Sequence, residues 1–180
     1  MTRKTIEQMI ADLIKVEGTY SDHPADKGGP TMYGVTQAVA RANGYTGPMR
    51  EMPMSVATNI YRKKYFTAPG FESVYLLSPL IAEEMFDTGV NMGTSIPGPW
   101  LQRFLNVFND AKTDLVVDGK IGPATITALR LYLNKRGSDG EIVMVRGLNC
   151  LQGARYLELA EKREQNRAFI WGWLKNRVTT

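Results

Sequence analysis

A chain of 180 residues and 20.1 kDa has room for one ordinary domain, or a small domain with a helical piece appended. Its 43% hydrophobic and 22% charged residues exclude wholesale disorder, and a formal charge of +4 leaves it mildly basic. A single cysteine, Cys150, and a single histidine, His23, exclude a disulfide framework, multi-cysteine zinc sites and multi-histidine metal sites, so no metal or other cofactor is expected.

Helical periodicity dominates from the start. Ile6, Met9, Ile10, Leu13 and Ile14 share one face of an amphipathic helix. Thr5 and Gln8 form a capping box at its start, and Gly18 stops it. Residues 18–36, with four glycines, two prolines and no periodicity, read as a loop or a short β-hairpin. Thr36 then caps a short helix that ends before Gly44, and Ser55 is expected to cap another running to Phe66. Ser78 followed by Pro79 at the first helical position opens a helix over 80–91.

The stretch Met92-Gly93-Thr94-Ser95-Ile96-Pro97-Gly98-Pro99 is the best candidate for a domain boundary. Beyond it, Trp100, Leu101, Phe104, Leu105 and Phe108 repeat helically. Asp118-Gly119 marks a turn and Pro123 opens a further helix. Asp139 is expected to cap a long helix over 141–164, and a last helix carries Phe169, Trp171 and Trp173. The predicted class is mainly α, with a small β-hairpin near residues 18–36. Cys150 reads as a small buried hydrophobe, and the three tryptophans read as core.

The basic excess is unevenly spread. Residues 1–95 hold nine basic and ten acidic residues, whereas residues 96–180 hold thirteen and eight. A solvated basic face is the default reading, and an anionic partner for the C-terminal half is the functional one. No segment approaches the ~20 apolar residues of a membrane span. Acidic residues interrupt the only apolar stretch of the N-terminus, and no small-residue cleavage site follows it, so no secretory signal is expected.

Carboxylates carry the remaining chemistry. Glu17 lies eleven residues after Ile6, three turns on, and so falls on the apolar face of its helix. Desolvation there would raise its pKa and keep a proton available near neutrality, as a general acid requires. Asp26 follows nine residues later and Thr31 five after that. A protonated acid facing a better solvated carboxylate is the equipment for glycoside hydrolysis. The competing reading makes Glu17 an exposed helix-end residue and Asp26 a turn former.

The run Glu17-Gly18-Thr19-Tyr20, followed by Asp22, Pro24, Asp26, Gly28-Gly29, Thr31, Gly34 and Thr36, resembles the signature of glycoside hydrolase family 108 N-acetylmuramidases. These are phage endolysins and holin-associated bacterial muramidases. Their catalytic glutamate opens a Glu-Gly-Gly-Tyr tetrad, and Thr19 stands here where the second glycine is usual. The spacing Glu17–Asp26–Thr31 is also similar to the Glu/Asp/Thr pattern of phage lysozymes, one residue short in the last interval. The resemblance implies Glu17 as the acid, with Asp26 and Thr31 positioning or activating water. Tyr20 and Tyr33 are candidates for stacking on sugar rings. Asp87-Thr88-Gly89-Val90-Asn91 resembles a cleft-lining segment, with Asp87 and Asn91 as substrate-binding candidates.

Leu101–Asn106, Asp118–Thr125, Arg155-Tyr156 and Gly172–Val178 resemble the predicted peptidoglycan-binding domain that commonly follows such a catalytic domain. The implied organisation is a lysozyme-like muramidase domain over 1–95 and a helical peptidoglycan-binding-like domain over 96–180. The implied partners are peptidoglycan glycan strands, with no nucleic acid and no membrane insertion. A monomer made in the cytoplasm would reach the wall after a holin opens the membrane. Two other readings stay open: a lytic transglycosylase, which leaves 1,6-anhydro ends, and a non-catalytic wall-binding lysis factor.

Overall fold

The computed structural model describes residues 3–18, 20–22, 29–109 and 114–178, with Val16 and Glu17 described in their backbone alone. Its packing divides the chain into two compact units, Thr2–Ala68 and Pro69–Thr180. The division falls after residue 68, so residues 69–92 pack with the C-terminal helices.

The first unit opens with helix α1 (Ile6–Glu17), capped by Thr5. Gln8 N–H donates to Thr5 Oγ1 at 3.2 Å, and Thr5 N–H donates back to Gln8 Oε1 at 2.8 Å. The capping box therefore satisfies two amide donors that would otherwise be orphaned. The five predicted apolar residues of α1 are all buried. They supply much of this unit's core, each burial stabilising by roughly 1.5–3 kcal/mol. α1 packs on helix α3 (Met54–Arg62), and Arg62 pairs with Glu7 across that contact.

Between them lies a three-stranded antiparallel sheet of very short strands, β1 (Tyr20–Ser21), β2 (Thr31–Met32) and β3 (Val35–Thr36), in that order. The hairpin reading thus gains a third strand. Thr36 caps helix α2 (Gln37–Ala42) by accepting from Val39 N–H. Ser55 does not cap α3: the cap lies two residues earlier at Pro53, whose fixed φ is preset for a helix start, and the helix begins at Met54. α3 continues into a π-helical turn over Lys63–Thr67.

The second unit contains α4 (Phe71–Tyr75), α5 (Pro79–Met92), α6 (Pro97–Phe108), α7 (Pro123–Lys162) and α8 (Ile170–Arg177). Ser78 is wholly buried at the start of α5. Its hydroxyl accepts from Ile81 N–H and donates to Glu141 Oε1 at 2.6 Å, so the cap also fastens α5 to α7. Gln102 plays the same part for the loop before α7: its Oε1 accepts from Gly119 N–H, and its Nε2 reaches Asp118 Oδ1 and Lys120 O.

The long helix is broken at Gly137 (φ 58°, ψ −146°), two residues before the expected cap at Asp139. Only glycine takes that backbone cheaply, and Tyr132 O–H donates to Gly140 O at 2.8 Å to hold the two segments together. α7 ends at Lys162 rather than 164, and a 3-10 turn over Glu164–Ala168 leads to α8. Cys150 is exposed, not buried, because it falls on the outer face of α7 between buried Asn149 and buried Gln152. Trp171 is also exposed (79%), whereas Trp173 stacks on Tyr156 and Phe169.

Gly98 marks the tightest backbone approach in this unit. A Cβ there would lie 2.5 Å from Gly119 O, and Gly119 itself sits at φ 77°. Neither backbone can yield easily. Gly98→Ala is expected to lower the unfolding free energy by about 1–3 kcal/mol, read from denaturant titrations of the two proteins.

Candidate active site

The site begins at the C-terminal end of α1. Glu17 is the last residue of that helix, and Gly18 follows at φ 85° with its N–H bonded to Ile14 O at 3.2 Å. A left-handed residue there ends the helix and sends the chain into β1. This is the physical role of the glycine that follows Glu17 in the sequence motif.

Sheet register then assembles the next residues. Ser21 pairs with Thr31, and Tyr20 with Met32, so Thr31 stands opposite the residue four positions beyond Glu17. Thr31 is half-buried, and its hydroxyl donates to Gly29 O at 3.3 Å, which leaves its oxygen lone pairs available as acceptors. Tyr20 O–H donates to Asp22 Oδ2 at 3.0 Å, and the Arg50 guanidinium lies 4.2 Å from the Tyr20 ring centroid. One face of that ring is therefore occupied by a cation.

Tyr33 and Gly34 form the two-residue connection between β2 and β3, at φ 54° and 75°. Two-residue hairpins of the type I′ kind need positive φ at both positions, which Gly34 provides freely and Tyr33 only at a cost of roughly 1–2 kcal/mol. The surroundings fix it: Tyr61 O–H donates to Tyr33 O at 2.9 Å. Tyr33 was expected as a candidate for stacking on sugar rings; its positive-φ backbone beside Thr31 is a feature the sequence did not announce. Asp26, His23 and Thr19, and the side chain of Glu17, lie outside the described residues.

Asp87 and Asn91 belong to the other unit. Asn91 Nδ2 donates to Asp87 O at 2.7 Å and to Oδ2 at 3.3 Å, so the pair does meet. Yet Asp87 Oδ1 also accepts from Arg177 Nη1 at 2.7 Å, and Oδ2 from Gln152 Nε2 at 2.9 Å. The carboxylate thereby ties α5 to α7 and α8. One turn before it, Glu84 is buried at 8% exposure, with Oε2 accepting from Asn149 Nδ2 at 2.6 Å. Its Oε1, like Gln152 Oε1 and Tyr156 O–H, has no partner among the described residues.

Burial, reinforced by the nearby Asp87 charge, pushes the Glu84 carboxyl up to about 8, and burial pushes the Tyr156 phenol up as well. Both are therefore neutral at pH 7. Glu84 was not among the residues expected to matter, although the sequence carries a signal for it: Ile81, Glu84, Met85 and Thr88 are spaced for one helix face, so Glu84 falls on the apolar side.

Two family models match the chain. Residues 10–93 match Glycosyl hydrolase 108, and residues 97–178 match a Predicted Peptidoglycan domain. The solved structure of Brucella abortus SagA is similar in fold, with a TM-score of 0.62 at 24% identity, over 96% of this chain and 88% of that one. No curated protein matches it by sequence. The two models meet between residues 93 and 97, downstream of the division in packing after residue 68. Together the two families support a glycoside hydrolase acting on peptidoglycan. The chain thus carries a glycosyl hydrolase 108 domain at its N-terminus, followed by a predicted peptidoglycan domain.

Proposed function

We propose that the chain is an N-acetylmuramidase of the endolysin type, hydrolysing the β-1,4 bond between N-acetylmuramic acid and N-acetylglucosamine. Residues 1–95 act as the catalytic domain and residues 96–180 as the wall-binding one. The observation that carries this reading is the position of Glu17. It closes α1 directly before the positive-φ Gly18, inside the span matching glycosyl hydrolase 108. The C-terminal end of a helix carries the negative end of its dipole and disfavours an anion, which suits a residue that must hold a proton until it is needed.

In this reading Glu17 protonates the leaving glycosidic oxygen. Asp26 assists water or stabilises the oxocarbenium-like transition state, and Thr31 positions that water. Tyr33 contacts the glycan from the β2–β3 turn, and Tyr20 offers it the ring face away from Arg50. Asp87 and Asn91 serve the substrate through the helix they brace. In this reading the chain is a monomer that reaches the wall once a holin has opened the membrane, in phage-driven host lysis; among the described residues no helix is long and apolar enough to cross a membrane.

The test is mass spectrometry of muropeptides released from purified sacculi. Free reducing ends on N-acetylmuramic acid are the expected product. Terminal 1,6-anhydro residues would instead establish a transglycosylase, and reducing ends on N-acetylglucosamine would establish the other glycosidic bond as the target.

A further inference from the structure

The second unit holds an open groove of about 820 Å³ between α6, the 114–122 loop and the first turns of α7. That volume lies in the range of small-ligand sites, roughly 300–1,000 Å³. Its walls are fixed by side-chain to backbone bonds. Asn106 clamps Leu115 from both sides, accepting from its N–H at 2.8 Å and donating to its carbonyl at 2.9 Å. Gln102 holds Gly119 and Lys120, and Asn109 Nδ2 donates to Ala128 O at 3.0 Å. Such a groove needs little ordering when a ligand enters.

The lining chemistry is selective. Among the described residues it contains no aromatic side chain, so it offers no platform for stacking a sugar ring. Its apolar surface predominates and is aliphatic, and includes Ala124, Ala128, Val116 and Leu131. The last two are 78% and 60% exposed, as apolar residues at a binding rim are. Charges of both signs stand beside them: Lys120 on one hand, Asp114 and Asp118 on the other. Hydrogen bonds from Gln102 and the Lys120 amide lower the Asp118 carboxyl from its ordinary value, so it stays ionised.

We propose that this groove binds the stem peptide of peptidoglycan rather than its glycan. The inference rests on the assignment of peptidoglycan as the substrate. A stem peptide presents alanine methyls, carboxylates and the amine of a diamino acid. The aliphatic wall takes the methyls and the diamino acid's methylene chain, Lys120 takes a carboxylate, and Asp114 or Asp118 takes the amine. The groove then holds the chain on uncut wall while the hydrolase domain works on the glycan.

Isothermal titration of the full chain tests this with two probes: the synthetic tetrapeptide L-alanyl-γ-D-glutamyl-diaminopimelyl-D-alanine, and glycan strands stripped of peptide by an amidase. The tetrapeptide is expected to bind, and to bind roughly tenfold or more weakly to Ala128→Trp, Lys120→Glu and Leu131→Glu. Leu131→Glu changes an exposed residue, so it reports on the groove even if Ala128→Trp fails to fold. Equal tetrapeptide binding by wild type and a folded Leu131→Glu protein overturns the proposal, as does displacement of the tetrapeptide by stripped glycan. Failure here is distinguishable from failure of the muramidase reading: wild type that cleaves stripped glycan but ignores the tetrapeptide sinks only this inference. Wild type that binds the tetrapeptide and cleaves nothing sinks only the other.

Discussion

Glu17→Gln is expected to lower the rate of clearing of outer-membrane-permeabilised cells by roughly 10²–10⁴-fold, the usual contribution of a general acid, while leaving the fold intact. The amide keeps the size of the carboxyl and can still donate a hydrogen bond, but it has no proton to give to a leaving alkoxide. Glu17 is the terminal residue of α1, and the cap that ends the helix belongs to Gly18, so the substitution leaves the helix stop untouched. The melting temperature of the variant should stay close to that of wild type, and its binding to sacculi should persist. Wild-type clearing by Glu17→Gln would reject Glu17 as the acid.

Stability should fall as pH rises from about 5 to about 8, with Glu84 as the cause. The carboxyl moves from its ordinary 4.5 to about 8 on folding, so the folded chain holds this proton more tightly than the unfolded one. Its contribution is complete below pH 4.5 and is lost as pH rises through about 8. A single proton gives a slope of up to about 1.4 kcal/mol per pH unit in that window. The groups in reach are the Asp87 carboxylate, Glu83 and Thr88 on the same helix and Asn149 on α7. Tyr156 stays neutral throughout this range because burial holds its phenol up. Glu84→Gln should flatten the profile, gaining relative to wild type as pH rises, with urea unfolding at pH 5 and pH 8.5 as the measurement. Parallel profiles for the two proteins would show that Glu84 is not the titrating group.

Much of the fold was legible because its signals are local. The Thr5/Gln8 capping box, the Thr36 and Ser78 caps, Pro79 and Pro123 at helix starts, and Gly18 at a helix end each act within four residues. Local rules failed where two nearby signals competed. Proline at 53 set the start of α3 ahead of Ser55, and Gly137 broke α7 ahead of Asp139, because fixed or left-handed φ constrains the chain more than a side-chain hydrogen bond does. The candidate site was legible as a motif, Glu17-Gly18 at a helix end and Thr31 on the strand that pairs back to it. Cys150 and Trp171 were misread because apolar type does not say which side of a helix meets the core.

The sequence of this chain, with one histidine, one cysteine and a basic C-terminal half, by itself determined a mainly helical fold with glycine-marked turns, and left carboxylates as the chemistry to expect. Tertiary structure alone decided what those carboxylates experience. Asp87 finds Arg177 ninety residues away, Glu84 loses its water against Asn149 sixty-five residues away, and the groove takes its walls from α6 and α7 together. Desolvation and ion pairing depend on neighbours in space, and at those separations only folding brings the neighbours together.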